Sequence, residues 1–286
     1  MKEKIYNLIL MLAIIGVLLC QANVTTEIRK AIILFQNNIF PSLFPFIVLS
    51  PFFIHYGFFD IIKKYLGPIF KNLFHISESS SYLFFMSIIS GFPNSATNAK
   101  NLYEENLISK EEAFHTLLFS HFSNPIFIFS MVPFHPKTVL FAHYFSNVII
   151  GLVLRPRNYN SNNKIVSKKK ERAFFEIFSD SIRNAIQSSL FILGVIVFFF
   201  MVSAIINIPI SRLLSELSQG LSYANSLSFS PKIISCLQAF LLSFGGFSVH
   251  IQTYGILADW KLPYFPYFIT RIIHGILASC IVLFLI

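Results

Sequence analysis

The fold turns on eighteen residues: Ser81-Tyr82-Leu83-Phe84-Phe85-Met86-Ser87-Ile88-Ile89-Ser90-Gly91-Phe92-Pro93-Asn94-Ser95-Ala96-Thr97-Asn98. Their first twelve, through Phe92, are mostly apolar, too few to cross a bilayer as a helix, which needs about 20. Gly91 and Pro93 stop that helix, and the Asn and Ser that follow can cap a second one. A short helix, a polar break and another helix predict a re-entrant hairpin.

Such a hairpin belongs in a membrane protein, and composition agrees. Of 286 residues, 55% are hydrophobic and only 12% charged, with 35 Phe and one Trp. Mean hydropathy is +0.66. A soluble domain carries about 25% charged residues and keeps much of its surface wet, so an ordinary cytosolic enzyme is excluded. Disorder, collagen and a disulfide scaffold are excluded too. The apolar stretches are continuous rather than alternating, which argues against a β-barrel. The expected fold is an all-α polytopic membrane protein with about 6–8 membrane elements.

Outward from the hairpin, residues 1–22 read as a first span or a signal sequence, with Lys2 and Lys4 ahead of an apolar run. Residues 26–154 read as a first membrane repeat plus an extra span. Its stretch from Ala31 to Phe59 carries Pro41, Pro45 and Pro51 and is expected to bend. Leu102–Ala113 reads as a short surface helix, with Ser109 and Glu112 as a capping box. Phe114–Phe134 is long enough to span, although Ser120, His121, Ser123, Asn124 and Pro125 sit in its middle.

Seven of the 22 Lys and Arg fall between Arg155 and Arg172. Residues 155–173 are therefore expected to be a basic cytoplasmic loop rather than a nucleic-acid site. Residues 174–286 read as a second membrane repeat. Within it, Ser211–Ser230 is expected to be polar and extracytoplasmic. A second broken hairpin is cut at Gly245-Gly246 and followed by Ser248, His250 and Gln252. The last span carries Arg271 and His274 on one face.

Two segments align at an offset of 154, Thr26–Ile32 with Asp180–Ile186, sharing Ile, Arg, Ala and Ile. Ser90-Gly91-Phe92 and Gly245-Gly246-Phe247 align at 155. The first copy begins outside and the second inside, so the repeat has inverted topology. In transporters, paired breaks of this kind mark a substrate site near the midplane.

The candidate solute-binding residues follow from the breaks: Gly91, Pro93, Asn94, Ser95 and Thr97; Ser120, His121, Ser123 and Asn124; Gly245, Gly246, Ser248, His250 and Gln252; Arg271 and His274. Helix N-termini favour anions, and intramembrane polar groups are costly enough to point to function. Each also has a plainer reading: a loop cap, a polar helix contact, or an Arg271 that snorkels. Cys20, Cys236 and Cys280 stand far apart. No metal-ligand spacing and no HExxH, GxSxG or P-loop motif occurs, so no catalytic residue, metal, cofactor or enzymatic activity is expected. The expected partners are a small-molecule solute and the lipid bilayer, with no nucleic acid. No feature fixes an oligomeric state.

Four blocks carry a family resemblance: Asn38–Phe46, Ser90–Pro93, Phe122–Phe127 and Ser243–Gln252. Over about Thr26–Ile286 the chain resembles the sporulation integral membrane proteins of endospore formers (YlbJ type), grouped with the nucleoside-recognition, or Gate, domain proteins. Arg271 and His274 also match a family pattern. The resemblance implies a bacterial membrane transporter of a small anionic solute, dipicolinate, imported into the forespore across its outer membrane. Thr97 stands where the family pattern has Lys, with Lys100 three residues on. A nucleoside or other neutral-solute carrier, and a membrane scaffold of a sporulation complex, remain the alternatives.

Overall fold

The computed structural model describes residues 2–156 and 172–286. The expected basic loop therefore lies outside the described residues over 157–171. Among the described residues all regular structure is helical.

Helix α1 (Lys2–Leu19) meets α2 (Gln21–Leu34) at Cys20, and a π-helical turn (Phe35–Ile39) joins α2 to α3 (Phe40–His55). The run Gln21–His55 is one 35-residue candidate span. Pro41 sits in the first turn of α3, while Pro45 and Pro51 lie inside it. The π turn is where the ladder changes register. Amphipathic α4 (Phe58–Phe74) packs on α5 (Glu78–Ser90), and its Lys63, Lys64 and Lys71 are the cluster that follows the first long helix.

The hairpin is present. Helix α5 ends at Gly91 and α6 (Asn94–Glu104) begins after Pro93. No separate surface helix occupies Leu102–Ala113, because that stretch holds the end of α6, a turn and the start of α7 (Lys110–Phe119). Ser109 caps α7 by accepting the Glu112 N–H at 3.1 Å. The Glu112 carboxylate does not close the box; it takes the Ser77 N–H and the Ser80 hydroxyl instead. Phe114–Phe134 is not a continuous span either. Helix α7 stops at Phe119, residues 120–124 are unwound, and α8 (Pro125–Met131) restarts where Pro125 suits a first turn. Helix α9 (Pro136–Leu154) closes the first half.

The second half opens with α10 (Phe174–Ile206), 33 residues and about 50 Å long. The stretch Ser211–Ser230, expected to be polar, is largely helical and partly buried. It folds as α11 (Pro209–Leu214), a break at Ser215-Glu216, and α12 (Leu217–Asn225). Leu213, Leu217, Leu221 and Ala224 recur at helical spacing, and the last three of them are buried. Helix α13 (Pro231–Phe244) breaks at Gly245 into α14 (Gly246–Ile256), and α15 (Tyr264–Leu285) ends the chain. Among the described residues five helices are long and apolar enough to cross a membrane. The shorter broken pairs α5–α6, α7–α8 and α11–α12 pack among them.

Both halves run in the same order: a long helix, two helix–break–helix segments and a last helix, with α4 extra in the first. This order pairs the Gly245 break with residues 120–124 and the Ser215-Glu216 break with Gly91–Pro93, so the expected pairing of Ser90-Gly91-Phe92 with Gly245-Gly246-Phe247 at an offset of 155 does not hold. The long helices pack on each other along stripes of small and branched residues. Ser181, Ala185, Ser189, Ile192, Ile196 and Phe200 of α10 are buried there, as are Ala31, Phe35, Ile39 and Ile47 of the other run. Small residues let membrane helices approach closely. Large apolar side chains such as Phe175, Leu190, Phe198 and Phe284 are exposed, as a lipid-facing surface requires.

Candidate functional site

Unwound backbone at membrane depth must find partners within the protein. Here the breaks satisfy one another in pairs. In the first half the Phe92 N–H donates to the Phe122 carbonyl at 2.8 Å; in the second the Ser248 N–H donates to the Ser215 carbonyl at 2.9 Å. Gly91 makes the first crossing possible. Its φ is +72°, and a Cβ there would sit 2.6 Å from the Asn124 amide nitrogen.

Side chains complete the scaffold. Asn124 caps α8, accepting the Ile126 N–H at 2.7 Å, and donates to the Ile89 and Ser42 carbonyls at 2.9 and 3.3 Å. His143 accepts the Ser123 N–H on Nε2 at 2.8 Å, so Nδ1 carries the proton toward the Ser243 hydroxyl, 2.8 Å away. Asn147 donates to the His121 carbonyl at 2.7 Å. Arg271 is fully buried and donates to the Leu118 carbonyl in the last turn of α7. That carbonyl lies at the negative end of a helix. The guanidinium also meets His274 Nδ1 at 3.2 Å and lies 5.4 Å from the Tyr267 ring. His274 Nε2 donates to the His143 carbonyl at 2.9 Å. His250 donates from Nε2 to the Phe244 carbonyl at 2.8 Å and meets the Tyr264 hydroxyl through Nδ1 at 2.9 Å.

Between the four breaks lies a narrow cavity of about 40 Å³. Of the candidate residues it brings together Pro93, Ser123, Asn124 and Gln252. Ser248 stands just behind the wall, its hydroxyl 3.5 Å from Glu216. Ser120, His121, His250, Arg271 and His274 belong to the buried scaffold rather than the lining, and Gly91, Gly245 and Gly246 shape the breaks. Asn94 and Ser95 are buried in the first turn of α6. Both side-chain polar atoms of Asn94, the Ser120 hydroxyl and His121 Nε2 have no protein partner. Thr97 lines a different cavity.

The lining also holds residues that sequence reasoning missed: Ser42, Phe92, Phe127, Ile192, Ile196, Ser218 and above all Glu216. Glu216 is 2% exposed and caps α12, accepting the Gln219 N–H at 2.8 Å. The sequence places almost no carboxylate in its apolar runs, and this one hides in a Ser-rich stretch. The four-residue spacing of Leu213, Leu217 and Leu221 was the signal that could have found it.

Two more cavities flank this one. One, of about 330 Å³, is lined by residues that include Glu27, Lys30, Leu34, Phe200, Arg212 and Gln219. The other, of about 460 Å³, includes Ile47, Pro51, Thr97, Lys100, Asn184, Ser188 and Phe191. Along the first long run the three cavities touch residues 27–34, then 39–43, then 47–51. Along α10 they touch 200, then 196 and 192, then 191–184. The two long helices are thus antiparallel walls of one seam. Lys30 and Pro51 are about 31 Å apart along the helix axis, close to the roughly 30 Å of a bilayer's hydrocarbon.

Comparison with known proteins bears out the family resemblance. Residues 38–137 match the Gate family model, described as nucleoside recognition. That segment contains both first-half breaks and the cavity-facing start of α3. Over 300 aligned residues the chain is 26% identical to the sporulation integral membrane protein YlbJ of Bacillus subtilis (strain 168), covering 86% of this chain and 74% of that protein. No solved structure matches the chain. The chain is a membrane protein, all-helical among its described residues, with a segment that matches the Gate, or nucleoside recognition, model, and is similar along most of its length to a sporulation integral membrane protein.

Proposed function

We propose that this protein is a permease for a small polar solute, bound in the central cavity and moved along the seam between the two long helices. One observation carries the reading. Helices α6, α8, α12 and α14 all begin at the breaks around one cavity, and three of their N-caps, Pro93, Asn124 and Glu216, line it. Positive helix ends converging at mid-membrane favour an anionic group. Apolar walls from Phe92, Phe127, Ile192 and Val249 suit a flat hydrocarbon body. An aromatic dicarboxylate fits both features. The similarity to a sporulation integral membrane protein makes dipicolinate, crossing the outer forespore membrane of a spore-forming bacterium, the leading solute. The reading involves no covalent chemistry.

A neutral solute of the nucleoside kind is the second reading, and a specific observation favours it. The one charged side chain in the lining is a carboxylate, while Arg271 is turned away to the Leu118 carbonyl. Uptake into proteoliposomes separates the two. Saturable entry of labelled dipicolinate, uncompeted by nucleosides and reduced by Asn124→Ala, is the expected result. Competition by nucleosides selects the neutral carrier. No entry of either solute leaves the chain as a membrane scaffold.

A further inference from the structure

Glu216 is a carboxylate in a membrane interior without a cation to balance it. Among the described residues it forms no ion pair. Its Oε2 accepts the Gln219 N–H at 2.8 Å, the Ser218 N–H also points to the carboxylate, and Oε1 meets the Ser218 and Ser248 hydroxyls at 3.4 and 3.5 Å. A buried charge with hydrogen bonds but no counter-ion is expensive, and an ionisable group at such depth is by default a functional one.

The surrounding charges are engaged elsewhere. Arg212 of α11 donates to Asn207 and lies over the Tyr223 ring of α12. His250 of α14 has both nitrogens taken, and Tyr254 donates to the Pro263 carbonyl. Lys232 and Cys236 sit in the first two turns of α13, away from the cavity wall. Helix α10 offers Ile192 and Ile196 to the cavity and keeps Glu176, Asp180 and Arg183 in its first three turns; α8 has no titratable group. Glu27 of α2 pairs with Lys30 and accepts from the Gln219 side chain at 3.4 Å. Gln219 therefore bridges Glu216 to the flanking cavity that contains Arg212, which gives the carboxylate a short way to water.

We propose that Glu216 carries a proton across with the solute, one per transport cycle, making the protein a proton-coupled symporter. The inference rests on the permease reading. The proton binds Oε1 from water on one side, stays on Glu216 or is shared with the solute's carboxylate while both are enclosed, and leaves to water on the other side. No covalent bond to the solute forms. Sharing removes the like-charge repulsion that a carboxylate solute would otherwise meet in the cavity.

The test uses the full-length protein in liposomes with the membrane potential clamped, and dipicolinate and uridine as separate probes. For one proton per solute, a one-unit pH gradient, alkaline inside, should raise steady accumulation of the transported probe about tenfold. A pH dye trapped inside should report acidification as the probe enters. In Glu216→Gln the ratio of uptake with the gradient to uptake without it should fall to about one, and Glu216→Asp should restore part of it. Wild-type entry without proton movement, or accumulation that follows a sodium gradient and ignores pH, overturns proton coupling and leaves the permease intact. A gradient ratio in Glu216→Gln equal to that of wild type removes Glu216 from the role. If neither probe enters under any gradient, both the coupling and the permease reading fall.

Discussion

In the first half, the breaks at Gly91–Pro93 and Ser120–Asn124 are held by neutral side chains, Asn124, His143, Tyr144 and Asn147, each bonded to backbone. In the second half, the breaks at Ser215-Glu216 and Gly245 are shaped by a glycine pair and one carboxylate. The backbone plan repeats while the chemistry does not. The first half carries the Gate match and most of the amides and hydroxyls; the second supplies the charges, Glu216 to the cavity and Arg271 to the scaffold. A repeated backbone brings helix ends to one point, and unequal side chains give that point a chemical direction.

The comparison breaks most readily at Arg271, the second-half residue that props a first-half break. Arg271→Met strips the Leu118 carbonyl and His274 Nδ1 of their donor inside a dry bundle, at about 1–3 kcal/mol for each group left unpaired. The expected outcome is a large fall in melting temperature in detergent together with loss of uptake. Loss of solute affinity with an unchanged melting temperature would make Arg271 a solute ligand instead.

Gly91→Ala comes next. It adds about 1–3 kcal/mol for a side chain at φ +72°, ψ −179°, a conformation essentially reserved for glycine, and about 1–3 kcal/mol for overlap with Asn124. Gly57→Ala is the control, since its φ is +91° with nothing within 4 Å of the added Cβ. With ψ at −7° rather than the −179° of Gly91, it should show a milder left-handed dihedral cost without any overlap. Equal thermal shifts for the two variants would mean that the Gly91–Asn124 approach does not constrain the hairpin.

How much of this was legible depends on whether the signal was local. Gly91, Pro93 and the Gly245-Gly246 pair announce their breaks through residue type. So does Asn124-Pro125, yet an apolar run on both sides made 114–134 look like one span. Glu216 was hidden because its segment is polar and short, and burial there comes from α8, α13 and α14 packing around α12, contacts that no window of sequence contains. Arg271 and His274 were legible as paired on one face, but their partners, Leu118 and His143, are more than 130 residues away. The seam was invisible for the same reason, since it exists only when two antiparallel helices meet.

Asn124→Ala tests the neutral scaffold of the first half on a smaller scale. Losing the cap on α8 costs about 1 kcal/mol, and the Ile89 carbonyl loses its donor. Because the same side chain lines the cavity, half-saturation should rise about tenfold if one solute hydrogen bond goes with it, each 1.4 kcal/mol being a factor of ten. A stability change without a change in half-saturation would confine Asn124 to capping.

The smallest effect is expected at Thr97, where the family pattern has Lys. Thr97 lines the flanking cavity with Lys100 and Asn184, one helical turn beyond Pro93. Thr97→Ala should leave stability within about 0.5 kcal/mol and half-saturation within about twofold, whereas Gln252→Ala, in the central lining, should shift half-saturation about tenfold. Thr97→Lys separates the path from the site. A second cation beside Lys100 should speed entry of an anionic solute at low salt and lose that advantage as salt screens it, with half-saturation for a neutral solute unmoved. A shift in neutral-solute affinity at Thr97 would place the binding site nearer the Arg172 end of the seam than the four converging helix ends indicate.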